Sequence, residues 1–246
     1  MKKSIRKFVA MICCLTGVVA LTGCSSVAKQ YNTIPEAYEK LYNSNFTYSV
    51  SSTKYDINDE LITFEYVGEH ATNPYVEHKT YPEGQGFWQE IYYYGNGPIV
   101  SYKGLCDGEW LSDTVQREYF NGYGEEITVT SVKEETVDGV KYTVYNAKYS
   151  VEAGAKYGLS ESIEATVTQQ YFLEKENGQL VRIVSELTGL NRMTAIANDM
   201  SANGVDLETA QKNVDAAGKF EETVEVRIQY EKDDYKIVVP ENASVQ

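Results

Sequence analysis

Thr223-Val224-Glu225-Val226-Arg227-Ile228-Gln229-Tyr230-Glu231 alternates without a break. Val224, Val226, Ile228 and Tyr230 fall on one side of an extended chain; Glu225, Arg227, Gln229 and Glu231 fall on the other. Successive side chains of a strand point to opposite faces, so this stretch predicts a strand with one buried face and one wet face. The same period of two recurs upstream. Ile163, Ala165, Val167, Tyr171 and Leu173 alternate with Glu164, Thr166, Thr168 and Gln170, and the Lys175-Glu176-Asn177-Gly178-Gln179 turn leads back into Leu180–Leu187. Val140, Tyr142 and Val144 follow Asp138-Gly139, a strong hairpin signal. Phe46, Tyr48 and Val50 form another set. Ile62, Phe64 and Tyr66 come after a turn at Asn58-Asp59, and Trp88, Tyr92 and Tyr94 precede Gly95-Asn96-Gly97-Pro98. Continuous apolar strands separated by long helices, the mark of parallel units, do not occur.

Helical spacing appears in two places. Thr33-Ile34-Pro35-Glu36 reads as a capping box, with Ile34, Ala37, Tyr38, Leu41 and Tyr42 on one face of a helix that ends near Asn43-Ser44-Asn45. Leu190, Met193, Ala197 and Met200 lie at helical spacing before Asn203-Gly204. Asp206 then caps a second run of Leu207, Ala210, Val214 and Ala217, stopped by Gly218. These two helices are placed either as a lid over the sheet or as a surface excursion. The expected fold is α+β: a curved, one-sided antiparallel sheet, or half-barrel, with a few short helices covering its concave face. One domain is expected over 33–240, followed by a frayed tail, 241–246.

Lys2, Lys3, Arg6 and Lys7 precede an apolar run, Phe8–Thr22, shorter than the roughly 20 residues of a spanning helix. The run closes in Leu21-Thr22-Gly23-Cys24, which resembles the lipobox of bacterial lipoproteins. That resemblance implies a signal peptide over 1–23, cleavage before Cys24, and a diacylglycerol on the Cys24 thiol. Residues 24–32 would then be a lipidated tether, and the protein would sit outside the cytoplasm, anchored to the bacterial cell membrane by lipid.

The chain has 246 residues, 22 basic and 36 acidic, for a net charge of −14, and the basic start makes the remainder more acidic still. Such a surface repels phosphate backbones, so no nucleic-acid partner is expected. Of four cysteines, the lipobox resemblance implies that Cys13 and Cys14 leave with the signal and that Cys24 carries lipid. Cys106 is left as a semi-buried thiol without a disulfide partner. The chain has two histidines, in Glu69-His70 and Glu77-His78, which could face each other across a hairpin beside carboxylates. Adjacent strand residues point to opposite faces, however, so neither pair chelates one ion, and surface histidines are expected instead. Ser51-Ser52-Thr53-Lys54 lacks the companion elements of an S-x-x-K enzyme. Asp56-x-Asn58-x-Glu60 lacks the Gly and closing Glu of a calcium loop. Gly84-Gln85-Gly86 and Gly122-Tyr123-Gly124 are turn glycines, and the acid doublets Glu125-Glu126, Glu134-Glu135, Glu221-Glu222 and Asp233-Asp234 read as solvated charge. No enzyme activity, cofactor or metal is expected.

The strand–turn–strand Tyr171–Ile183, with Val226–Tyr230, Tyr235, Ile237 and Pro240, resembles hairpins of the LolA-like superfamily, which includes lipid-carrying lipoproteins of the LppX and LprG kind. The resemblance implies a half-barrel that holds acyl chains between sheet and helices. On that reading a hydrophobic, lipid-like ligand occupies a sheet–helix cleft. Its expected lining is Phe64, Tyr66, Tyr142, Val144, Tyr171, Val226 and Ile228 from strands, with Met193 and Met200 from helices. The second reading starts from tyrosine, 21 residues against seven Phe and two Trp. It gives an envelope interaction protein with no small ligand, whose acidic, tyrosine-rich surface meets a protein or polysaccharide. An aliphatic-lined cavity, an exposed aromatic strip and a cleft with converging carboxylates would separate lipid binding, surface recognition and hydrolysis.

Overall fold

The computed structural model describes residues 28–55, 60–84, 87–116, 127–154, 159 and 161–244. The signal segment, Cys24, the Asn58-Asp59 turn, Gly122-Tyr123-Gly124 and Glu125-Glu126 lie outside them. The described chain is α+β, as the alternation predicts. Its strands are β1 (Phe46–Tyr55), β2 (Leu61–Thr72), β3 (Tyr75–Thr80), β4 (Glu90–Tyr94), β5 (Ile99–Cys106), β6 (Glu109–Gln116), β7 (Thr128–Val137), β8 (Val140–Ala153), β9 (Ile163–Glu174), β10 (Leu180–Glu186) and β11 (Glu222–Tyr230). They form one open antiparallel sheet in the order β6-β5-β4-β3-β2-β1-β11-β10-β9-β8-β7. The helices are α1 (Ala28–Tyr42), α2 (Thr188–Asn203) and α3 (Leu207–Ala217). Among the described residues, no helix is long and apolar enough to cross a membrane.

The residues group into two compact parts. Among the described residues, the first comprises 28–49, 65–84, 87–116 and 228–244; the second comprises 50–55, 60–64, 127–154, 159 and 161–227.

In the first part, α1 buries Ile34, Ala37, Tyr38 and Leu41, as the spacing predicts. It starts earlier than expected. Thr33 lies inside a helix that begins at Ala28, because Ala28, Lys29 and Gln30 favour helix and extend it beyond the capping box. The Tyr42 carbonyl accepts a 2.9 Å bond from Tyr75 Oη and lies 3.3 Å from His70 Nε2, which ties the helix end to β2 and β3. On the other face of these strands, Val76, Tyr92 and Ala243 form a small core with Tyr94, Trp110, Ile237 and Val239 packed against it. Of the tail expected to fray, residues 241–244 are described. Glu241–Ala243 is a turn of 3-10 helix, Ala243 is fully buried, and Tyr94 Oη donates to its carbonyl at 2.6 Å. Nor do Tyr235, Ile237 and Pro240 form a strand: residues 231–240 cross the sheet as irregular chain.

In the second part, β8 and β9 pair with Tyr149 opposite Val167 and Val151 opposite Ala165, so the odd-numbered residues share one face. The β10 and β11 registers add Ile183 and Val226 to that face. Helix α2 lies on it. A Cβ added to Gly189 would meet the Thr166 carbonyl at 3.1 Å and Ala165 Cβ at 4.0 Å. The surface-excursion alternative is thus removed for α2, which buries Met193, Ile196, Ala197 and Met200. Gly204 ends it in the left-handed conformation at φ 65°. Asp206 caps α3 through Thr209 N at 2.8 Å, as the sequence predicts. The β7–β8 turn is Asp138-Gly139, both with positive φ.

Candidate functional site

The nine expected lining residues do not share one surface. Within the second part, Tyr171 and Val226 lie on the helix-covered face, and Met193 and Met200 are among the residues α2 buries. All four are less than 8% exposed, so they are packed on all sides. Beneath α2 runs a buried polar chain: Tyr171 Oη donates to Gln169 Oε1, and Gln169 Nε2 donates to Ser185 Oγ at 2.9 Å. Tyr142 and Val144 lie on the opposite face. The β8–β9 register sets Val144 against Phe172 and Tyr142 against Glu174, whereas Tyr171 stands opposite Tyr145. Tyr142 meets the Phe172 ring edge-on at 6.2 Å, and the Arg182 guanidinium lies 4.7 Å from the Phe172 centroid. Phe64 is half-buried on the second part's stretch of β2. Tyr66 and Ile228 belong to the first part.

Tyr66 there joins a surface the sequence did not foresee. The register across β2, β3, β4 and β5 aligns Gly68, Lys79, Ile91 and Gly104 in one row. The next row is His70, Glu77, Tyr93 and Tyr102. Two glycines in the first row let aromatic rings lie flat on the sheet. A Cβ on Gly68 would sit within 2.5 Å of Tyr48 Cε1 and nearer still to Cζ, and one on Gly104 would sit 2.5 Å from Trp88 Cε3. Trp88 therefore shares the face of Ile91, not that of Tyr92 and Tyr94 as the period of two suggested. It precedes β4, where strand alternation does not bind it.

Lys79 stands between these rings. Its ammonium lies 5.1 Å from the Tyr93 centroid, 6.0 Å from the Tyr66 centroid and 3.6 Å from Glu77 Oε1. Tyr48 Oη donates to the same Glu77 oxygen at 2.7 Å. Burial alone would pull the Lys79 ammonium down, but the Glu77 carboxylate beside it holds it well above its ordinary range. Burial pushes the Tyr48 phenol well up, and Glu77 adds to this, so Tyr48 stays a neutral donor. Tyr81 stacks obliquely on Tyr66 at 5.1 Å, and Tyr102 borders Tyr93 at 6.2 Å and Trp88 at 5.7 Å. Phe87, beside Trp88, is 63% exposed.

The two histidines are cross-paired. His70 stands opposite Glu77 on this face and His78 opposite Glu69 on the other. The expectation of surface histidines is corrected: His70 is fully buried and stacks on Phe46 at 4.7 Å. His78 Nδ1 lies 2.9 Å from Glu69 Oε2 and its Nε2 3.2 Å from Glu90 Oε2, with the Tyr92 ring stacked parallel at 4.2 Å. Among the described residues no three His, Cys, Asp or Glu converge as metal ligands. Cys106 is buried, and burial, with Asp107 and Glu109 beside it, pushes its thiol up, away from a nucleophilic thiolate.

No family model matches the sequence, and no curated protein matches it. Solved structures with a distant likeness include lipoprotein LppX of Mycobacterium tuberculosis, at 10% identity and TM-score 0.41, covering 87% of this chain and 100% of that one. LprF of Mycobacterium bovis gives 7% identity and TM-score 0.38 over 90% and 100%. A LolA superfamily protein of Nitrosomonas europaea gives 8% and 0.31 over 84% and 92%. Likeness at this distance carries no functional argument.

Proposed function

We propose that this chain is an extracytoplasmic lipoprotein, tethered to the bacterial cell membrane through Cys24, that binds a lipid-like ligand between α2 and the sheet of its second part. The observation that carries the ligand reading is how α2 lies on the sheet. Its N-terminal end is pinned: Asn191 Nδ2 donates to Glu222 Oε2 at 2.6 Å, and Gly189 sits against the Thr166 carbonyl. Beyond that end it buries Met193, Ile196, Ala197 and Met200. Two unbranched thioether side chains adapt to varied apolar shapes better than branched ones. Because Tyr171, Val226 and both methionines are packed, a ligand enters only where α2 moves off the sheet.

Native mass spectrometry on the Cys24→Ser chain, purified without detergent, tests the ligand. The expected result is a lipid adduct, lost on delipidation and restored from a lipid panel. An unchanged mass with every lipid overturns the reading. Membrane fractionation tests the tether separately: a chain whose residues 1–24 are replaced by a cleavable secretory signal without the lipobox is expected in the soluble fraction, and its retention in the membrane fraction overturns the tether.

A further inference from the structure

The lysine-centred face of the first part is built for a ligand of different chemistry from an acyl chain. Lys79 is a half-buried cation in contact with two tyrosine faces. Among the described residues its nearest charged partner is Glu77 at 3.6 Å, beyond hydrogen-bond distance. The ammonium has three N–H donors, which the oxygens of a ligand can accept. The Glu77 carboxylate is fixed beside it by Tyr48 Oη at 2.7 Å. A cation and a carboxylate at this spacing, walled by aromatic faces, offer a donor, an acceptor and a flat apolar surface together.

We propose that Lys79, Glu77, Tyr66, Tyr93 and Trp88 form a binding site for a neutral oligosaccharide. A sugar hydroxyl accepts from the Lys79 ammonium while its neighbour donates to the Glu77 carboxylate, and the C–H face of the pyranose ring lies on Tyr93 or Trp88. Charge selects against the other ligand classes. An acyl chain would seal the ammonium from water without replacing its hydrogen bonds. An anion would meet Glu77 beside Lys79 on a chain of net charge −14. A polyol meets neither objection, because each hydroxyl both donates and accepts. The half-buried rings of Tyr66, Tyr93, Tyr102 and Trp88 leave room for such contact, and the glycines at 68 and 104 let Tyr48 and Trp88 lie against the sheet. The site lies wholly in the first part and does not depend on the lipid reading.

Isothermal titration of the Cys24→Ser chain with cellohexaose, chitohexaose, maltohexaose and mannohexaose, alongside Trp emission, tests the site. At least one of the four is expected to bind, with a change in Trp emission that Trp88→Phe abolishes. Tyr93→Ala and Lys79→Met are expected to weaken binding tenfold or more, while Asp206→Ala in the second part leaves it unchanged. Tyr93→Ala, at a half-buried position, keeps the test open should Lys79→Met fail to fold. Absence of binding by all four at millimolar concentration overturns the proposal. So does binding that Tyr93→Ala leaves unchanged, or binding confined to acidic oligosaccharides added as controls.

Discussion

Gly68→Ala is the sharpest probe of how the lysine-centred face is held. A Cβ at position 68 would come within 2.5 Å of Tyr48 Cε1, so the ring must leave the sheet. Forcing extra carbon into such a fit costs about 1–3 kcal/mol. Moving the ring also breaks the Tyr48 Oη to Glu77 bond at 2.7 Å, a bond to a charged group worth about 1.5–3 kcal/mol. Replacing Gly in a strand returns about 0.5–1 kcal/mol of conformational entropy. The net loss is about 1.5–5.5 kcal/mol, which at a urea slope of about 1–3 kcal/mol/M lowers the midpoint by about 0.5 M or more. Both tryptophans, Trp88 and Trp110, lie in the first part, so Trp emission reports this transition. Tyr48→Leu removes the far ring atoms that the new Cβ would strike. In that background Gly68→Ala should become neutral or stabilising, by about 0.5–1 kcal/mol. In a Tyr48→Phe background the ring remains and the loss should persist. Equal midpoint shifts in the wild-type and Tyr48→Leu backgrounds would refute the reasoning.

Three further outcomes follow from the same contacts. Burial pushes the Glu69 carboxyl up, but hydrogen bonds from Tyr235 and His78 outweigh it and hold the group below its ordinary value of 4.5. Its stabilisation is therefore present above pH 4.5 and lost as pH falls through the lowered folded value; Glu69→Gln should flatten this acid dependence of the urea midpoint, and an unchanged slope would remove Glu69 as its source. Burial raises the Tyr94 phenol from 10.0 to about 12, so one tyrosinate absorbance step near pH 12 should vanish in Tyr94→Phe. Stability from that group is present below pH 10.0 and fades as pH rises through about 12, because the folded state resists ionising it. Ile196 is 1% exposed on the buried face of α2, so Ile196→Ala should cost about 2–5 kcal/mol by far-ultraviolet circular dichroism in urea. A loss below about 0.5 kcal/mol would mean that α2 contributes no core.

Legibility followed from how local the governing physics is. The Thr223–Glu231 alternation, the Asp138-Gly139 hairpin and the Asp206 cap each depend on a few consecutive residues, and the structure has all three. A second hairpin, Asp107-Gly108 with φ of 52° and 80°, carries the same local signal beside Cys106. Strand pairing is where the sequence is silent. Two histidines facing each other needed a register one residue away from the observed one, and a one-residue slip exchanges every side chain between faces. The actual register pairs His70 with Glu77 and Glu69 with His78, burying one histidine and setting the other between two carboxylates. The expected ligand lining failed to converge for the same reason: Val144 and Tyr171 both read as core, yet β8 and β9 pair so that they face opposite ways. Ala243 gave no signal, since one small side chain docked under an irregular segment has no periodicity to read.

The tyrosine excess and the acidity are linked. Acids outnumber bases 36 to 22, so some carboxylates that fold inward cannot all be met by Lys or Arg. Phenols meet several of them. Tyr48 donates to Glu77, Tyr92 to Glu90 and Tyr235 to Glu69, and burial followed by the neighbouring carboxylate raises each phenol, which keeps it protonated as a donor. Such a bond satisfies a half-buried carboxylate without neutralising the charge that keeps the exterior acidic, and the ring supplies the apolar area that Lys would lack. Tyr66 and Tyr93 do something else, presenting their faces to the Lys79 ammonium. Removing a donor phenol therefore leaves a carboxylate undersatisfied and should cost stability first. Removing the Tyr93 ring strips a wall from the lysine and should cost recognition first, so the ratio of the two losses separates structural tyrosines from binding ones.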